Sequence, residues 1–232
     1  MPTLDEALPL ILKATLRSTP GAVHPFDSVR LFASAVAALL DRQLRPSVWR
    51  PIVEALKDAG LLDPEPMDRA GMLEIQEAIR GKAPAISPRS LSPVKQLARW
   101  LVDRHQGRAE ILAEPRLSIE VLREELASIR GIGPAGADAI ILAVSGRPSY
   151  PVDRGTYRIL VRHGWLDASS SYEEARDLMV HHAGDDLVRL GEAAAGMTWL
   201  ASHFCRVTAP RCEACPLASM LPPGGPVGAE TD

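Results

Sequence analysis

Apolar positions along this chain cluster in short runs at helical spacing, and almost every run is bounded by proline, glycine or a capping residue. The first run predicts a helix over 4–17, with Leu8, Leu10, Ile11 and Leu12 on its apolar positions and Ser-Thr-Pro-Gly at 18–21 as its stop. Pro25 and Phe26 open the main body, and residues 28–40, apolar on most faces, predict a buried helix. A polar break at 41–46 precedes a helical pattern from Trp49 to Leu56, and Pro64 and Pro66 flank the next loop. Residues 72–80 predict another short helix. Pro84, Pro88 and Pro93 then punctuate a linker, after which Val94 to Leu101, extending toward His105, is helical. Helices follow over 118–128, opened by Ser118 as its cap, and over 134–145, 154–163, 171–182 and 186–202. Beyond Pro216 the chain is rich in proline, glycine and acidic residues, which predicts a frayed tail. There is no internal repeat and no heptad.

Abundant alanine and leucine, few aromatics and little alternation of Val or Ile with polar residues give an all-α protein. Its 232 residues suffice for one large domain or two small ones. A net charge of −3 counts against a nonspecific polyanion binder but leaves room for a local basic face. Asp5 and Glu6 ahead of the first apolar run do not read as a signal peptide, and no apolar stretch reaches transmembrane length. The three cysteines fall within 205–215, an odd cluster suited to metal ligation rather than to disulfides. Together these predict a soluble protein of a reducing, intracellular compartment, cytoplasmic or nucleoid-associated.

Two segments carry candidate chemistry. Residues 129–139 read Ile-Arg-Gly-Ile-Gly-Pro-Ala-Gly-Ala-Asp-Ala, a glycine hairpin between two helical patterns. Gly131 and Gly133 allow the backbone angles of a tight turn and the close approach of a ligand. Ile132 between them is expected to pin the loop to the core. Pro134 suits the first helical position, and free N–H groups at that helix start can face a phosphate. Ala135, Gly136, Ala137 and Ala139 keep the second helix slim. The bland alternative is a plain helical corner. Asp153, in Pro-Val-Asp-Arg-Gly-Thr, stands at the head of the next helix, where capping is the ordinary role and negative charge is favoured. A carboxylate there could also stabilise positive charge developing on a sugar carbon, or orient a water. Arg154, Arg158 and Arg162 recur every fourth residue and share one face, along phosphates or simply in solvent.

The hairpin, the Pro-Val-Asp segment and the trailing cysteines resemble those of the helix-hairpin-helix base-excision DNA glycosylases, in their endonuclease III-like branch. The resemblance covers residues 25–215 and is strongest over 126–163. The eighteen-residue step from position 135 to Asp153 matches the family's separation between its hairpin lysine and its aspartate. Leu39-Leu-Asp-Arg-Gln43 resembles the family's loop in which a glutamine enters the duplex beside a flipped nucleotide, and Ala78-Ile-Arg80 and Val94-Lys-Gln-Leu-Ala-Arg99 resemble the helices before the hairpin. The resemblance implies two helical domains flanking a DNA-binding cleft: a central bundle over 26–138, and a second domain joining 1–25 to 139–232. It implies Asp153 as the catalytic carboxylate, Gln43 as the duplex probe, and Gly131, Gly133, Pro134, Ala135, Arg154 and Arg158 as phosphate contacts. The partner would be double-stranded DNA with a damaged, mismatched or abasic site, bound by a monomer, with the target base flipped out.

The departures shape the functional expectation. Where the family's bifunctional members carry the nucleophilic lysine, this chain has Ala135, which cannot form a Schiff base; by sequence, Lys95 is the sole nearby substitute and has no motif behind it. Thr-His usually follows the aspartate, but Arg154-Gly155 follow here. The expectation is a monofunctional glycosylase with little or no lyase activity; the alternative is a DNA-binding member that has lost catalysis. Cys205, Cys212 and Cys215 keep the C-x6-C-x2-C spacing of the family's iron–sulfur loop, but the fourth position is Leu221. A [4Fe-4S] or incomplete cluster, a zinc site completed by a histidine, or free thiols are the alternatives; His203, His181 and His182 are the histidines considered as a fourth ligand. Trp49, Trp100, Trp165, Trp199, Tyr150 and Tyr157 read mostly as core, so no lesion is named.

Overall fold

The computed structural model describes residues 2–15, 30–82 and 85–228. Among these the chain is all-helical, with no strand. In chain order the helices are α1 (Leu4–Thr15), α2 (Leu31–Asp41), α3 (Pro46–Asp58), α4 (Pro64–Arg69), α5 (Met72–Ile79), α6 (Pro88–His105), α7 (Ile119–Ser128), α8 (Gly133–Val144), α9 (Arg154–Arg162), α10 (Tyr172–Ala183) and α11 (Leu187–His203). Short 3₁₀ turns lie at Ala109–Ala113 and Ala218–Met220. Residues 16–29, which include the expected end of the first helix and the Pro25-Phe26 opening, lie outside the described residues.

The starts follow the sequence chemistry. Ser118 caps α7 by accepting from the Glu120 amide, and Ser171 with Glu174 forms a reciprocal capping box on α10. Asp186 accepts from the Val188 and Arg189 amides at the head of α11. Prolines account for the differences from expectation. Pro64 and Pro88 occupy first-turn positions of α4 and α6, where a missing N–H costs little, so two segments expected as loop and linker are helical. The expected frayed tail is instead packed within its described part, 217–228. Leu217 is buried, and the Val227 amide donates to the Arg162 carbonyl at 2.9 Å.

The chain divides into two compact units, His24–Arg147 and Met1–Val23 with Pro148–Asp232. The expected junction at 138 falls inside α8, which runs unbroken to Val144, and the division comes after Arg147 instead. In the first of these units, α2 packs on α8, α7 on α8 and α4 on α6, around Leu40, Ile52, Leu97, Leu101, Leu122, Leu126 and Ile140. The buried face of α7 is tied to α8 by an ion pair: Arg123 Nε donates to Asp138 Oδ1 at 2.8 Å, and the Asp138 side chain is fully buried. In the other unit α1 lies on α11, where a Cβ at Gly196 would stand 2.2 Å from the Ile11 carbonyl oxygen, so only glycine permits that approach.

Asp41, at the end of α2, accepts from Trp49 Nε1 at 2.6 Å. Burial raises its pKa to about 6, against smaller downward pulls from the Trp49 bond and Arg50. The folded state therefore holds this proton more tightly than the unfolded chain, and stability falls as pH rises from about 4 to about 6. Asp41→Asn keeps an acceptor for Trp49 and removes the titration. Its thermal midpoint relative to wild type is expected to rise between pH 4 and pH 7, by an amount equivalent to ~2–3 kcal/mol. A difference independent of pH contradicts this.

Candidate nucleic-acid interface and cysteine site

The α7–α8 hairpin turns on two glycines with positive φ, Gly131 at 89° and Gly133 at 62°. A Cβ on Gly131 would come within 3.3 Å of Pro93 Cγ, whereas one on Gly133 would meet nothing within 4 Å, so Gly133 faces open space. Ile132 between them is 7% exposed and belongs to the core, as its expected anchoring role requires. The helix α8 begins at Gly133, with Pro134 in its first turn, and no side chain caps it. Its first-turn amides, including that of Ala135, are therefore available to an anion. Gly136 follows closely on Ile132, whose Cγ2 would stand 2.8 Å from an added Cβ.

The loop after α2 joins this hairpin directly. Arg42 Nη1 donates to the Ala135 carbonyl at 2.8 Å, which fixes the neighbouring Gln43 relative to the turn. Gln43 is exposed, and its amide makes only a long contact of 3.5 Å with the Leu39 carbonyl. Lys95, the substitute amine considered from sequence, is already engaged. Its ammonium donates to the carbonyls of Met67, Asp68 and Ala70 at 3.3, 2.7 and 2.6 Å, closing the end of α4.

Asp153 is the N-cap of α9. Its Oδ1 accepts from the Thr156 amide at 2.5 Å, and its Oδ2 accepts from the Thr198 hydroxyl at 3.1 Å. Both oxygens are positioned, and each keeps a further lone pair. Gly155 makes this possible: a Cβ there would stand 2.5 Å from the Ala201 Cβ on α11, so the departure from the usual Thr-His pair brings α9 hard against α11. Tyr150, fully buried nearby, is core as expected, and burial pushes its phenol well above its usual pKa. Thr198 was not legible in sequence, because nothing in the spacing of α11 marks the one residue that reaches Asp153.

The three arginines do not form one open face. Arg154 is exposed. Arg158, expected on phosphate, instead donates from Nε to the Cys205 carbonyl at 2.7 Å. Arg162 donates from Nη1 to the Arg206 carbonyl at 2.6 Å and to Cys205 Sγ at 3.4 Å, and from Nη2 to the Val207 carbonyl at 3.2 Å. Two of the three therefore bind the cysteine loop.

Cys205, Cys212 and Cys215 all line one pocket, and Leu221 lines it too. Burial pushes the Cys215 thiol up, a hydrogen bond from the Leu217 amide pulls it down, and the neighbouring Cys205 and Cys212 add to the rise. Among the described residues, no three or more His, Cys, Asp or Glu side chains are grouped tightly enough to hold a single metal ion. The donor set nevertheless suits a thiolate-held group: three thiols surround a common space, and N–H groups of Arg162 and Leu217 point at two of the sulfurs, at 3.4 and 3.5 Å. The histidines considered from sequence lie elsewhere. His203 is exposed and stacked on Trp199, His182 pairs with Asp5 at 2.7 Å, and His181 is exposed. The histidine that does line the pocket is His163, 5% exposed. Burial lowers its pKa, against a smaller upward pull from the Met220 carbonyl.

No family model matches the chain. A protein of Methanocaldococcus jannaschii, provisionally named a DNA repair glycosylase, is 31% identical over 124 residues, 53% of this chain and 56% of that protein. The Arabidopsis thaliana protein named endonuclease III homolog 1, chloroplastic, is 28% identical over 201 residues, 83% of this chain and 49% of its own length. The chain thus spans about half the length of these curated relatives. Among solved structures, a non-covalent endonuclease III–DNA complex matches with a TM-score of 0.64 at 18% identity over 97% of each chain. A thermostable thymine-DNA glycosylase matches with a TM-score of 0.63 at 18% identity over 92% of each chain, a likeness of fold.

Proposed function

We propose that this chain, similar in sequence to proteins named as DNA repair glycosylase and endonuclease III homolog and in fold to endonuclease III, is a member of the helix-hairpin-helix superfamily and a monofunctional DNA glycosylase of base excision repair. The amides of Gly133 and Ala135 bind backbone phosphate, Gln43 probes the duplex beside the flipped nucleotide, and Asp153 addresses the sugar. As the C1′–N bond breaks, its electron pair leaves with the base, and the Asp153 carboxylate stabilises the positive charge growing on the sugar ring. Water adds its hydroxyl to C1′, and its remaining proton is passed, directly or through solvent, to the departing base. The products are a free base and an abasic site. One observation carries this reading: Asp153 is held by two donors at a helix start, while the lyase position is Ala135 and the Lys95 amine is bound to three carbonyls.

With no free amine at the hairpin, reaction mixtures treated with borohydride are expected to contain no protein–DNA adduct, and product strands to break only after alkali. A trapped adduct would overturn the monofunctional reading. Exposed Arg154, rather than Arg158, remains the arginine suited to phosphate. We also propose that the cysteine loop holds an iron–sulfur cluster, with Cys205, Cys212 and Cys215 as ligands; when bound, such a group would supply a rigid, charged support for the loop that Arg158 and Arg162 grip.

A further inference from the structure

The spacing of the cysteine loop reserves its fourth position for Leu221, which lines the pocket but has no donor atom. A different donor reaches the same space from the end of α9. His163 lines the pocket, and its Nδ1 lies 3.2 Å from the carbonyl oxygen of Met220, the residue immediately before Leu221. A carbonyl only accepts, so the Nδ1 contact is a hydrogen bond only if Nδ1 carries the proton, and a neutral ring then keeps its lone pair on Nε2. Nε2 makes no hydrogen bond among the described residues. Trp165 stacks on the ring at 4.5 Å between centroids and 15° between planes, which fixes its orientation. A ring nitrogen donating to a backbone carbonyl is the usual device for aiming the other nitrogen at a metal.

We propose that His163 Nε2 is the fourth ligand of the cluster held by Cys205, Cys212 and Cys215, in place of the absent cysteine. This rests on the cluster reading above. The arrangement favours a cluster over zinc. One zinc ion needs all its donors within about 2.0–2.3 Å of a single centre. In a four-iron cluster each donor takes a different iron, and among the described residues these donors line one pocket without any three of them converging on a single ion. On binding, the three thiols lose their protons, while the imidazole is already neutral and loses none.

The test is pulsed electron paramagnetic resonance on the full chain. The chain carries ¹⁵N-histidine, is loaded anaerobically with ferric iron, sulfide and dithiothreitol, which reduces half of the iron, and is then reduced further. One strong nitrogen coupling is expected in wild type. His163→Cys is expected to abolish the coupling, retain equal iron and sulfide, and lower the reduction potential, because a thiolate adds negative charge. His163→Ala is expected to lose one iron to mild ferricyanide before the reduction step, each [4Fe-4S]²⁺ giving [3Fe-4S]⁺, one Fe²⁺ and one electron to the oxidant, and to show the three-iron signal in that oxidised sample, with circular dichroism confirming that it folds. A four-iron cluster in wild type without histidine coupling overturns the proposal alone. Protein that takes up no iron and sulfide, or that binds only zinc, overturns it together with the cluster reading.

Discussion

Asp153→Asn is expected to slow base release by about 10²–10³-fold or more, while leaving binding to an abasic-site duplex within a few-fold of wild type. The side chain keeps its shape, and its oxygen can still accept from the Thr156 amide, so α9 should remain capped. What disappears is the negative charge that the proposed mechanism sets against the electron-poor sugar. Thr198→Val removes only one of the two donors that position the carboxylate, and a smaller loss, in kcat rather than KM, is expected from it. Single-turnover release of labelled base measures both. Equal rates for wild type and Asp153→Asn would assign Asp153 to capping alone.

Asp138→Ala is expected to have the largest effect on stability. Arg123 is only 15% exposed and Asp138 fully buried, so the substitution leaves a largely buried guanidinium without its carboxylate. Removing one partner of such a pair costs about 3–5 kcal/mol. For a chain of this size that lowers the thermal midpoint by roughly 10 °C. The same pair sets α7 against α8, so the phosphate binding proposed for the hairpin should weaken along with stability. Differential scanning calorimetry gives the first quantity and duplex titration the second. A loss below about 1 kcal/mol would show that the pair is replaced by water or by a neighbouring acceptor.

Local signals marked most helix starts correctly, because Ser118, Ser171 and Asp153 act on amides two or three residues away and leave their trace in sequence. Prolines misled where they sit in the first turn: Pro64 and Pro88 read as breaks but begin helices. The inward anchoring of Ile132 was also legible, as the apolar residue between two glycines. Contacts between distant segments were not. A spacing of four places Arg158 and Arg162 on one face of α9 but cannot say that a loop more than forty residues later covers them. Lys95 looks like a spare amine in sequence because the three carbonyls it closes belong to another helix. His163 and Thr198 carry no periodic or motif signal, and only the packing of α9 against α11 and the cysteine loop brings them to the pocket and to Asp153.

Hydrolysis of a glycosidic bond without strand cleavage leaves a product that a single assay distinguishes. Wild-type protein is incubated with labelled duplexes containing uracil, an oxidised pyrimidine, an alkylated purine or a mismatch, and each product is divided before gel analysis. Release of free base from at least one duplex, with strands that stay intact until alkali is added, is the predicted result. Tight binding to these duplexes with no base released from any of them would contradict the claim and identify a DNA-binding member of the fold that has lost its chemistry.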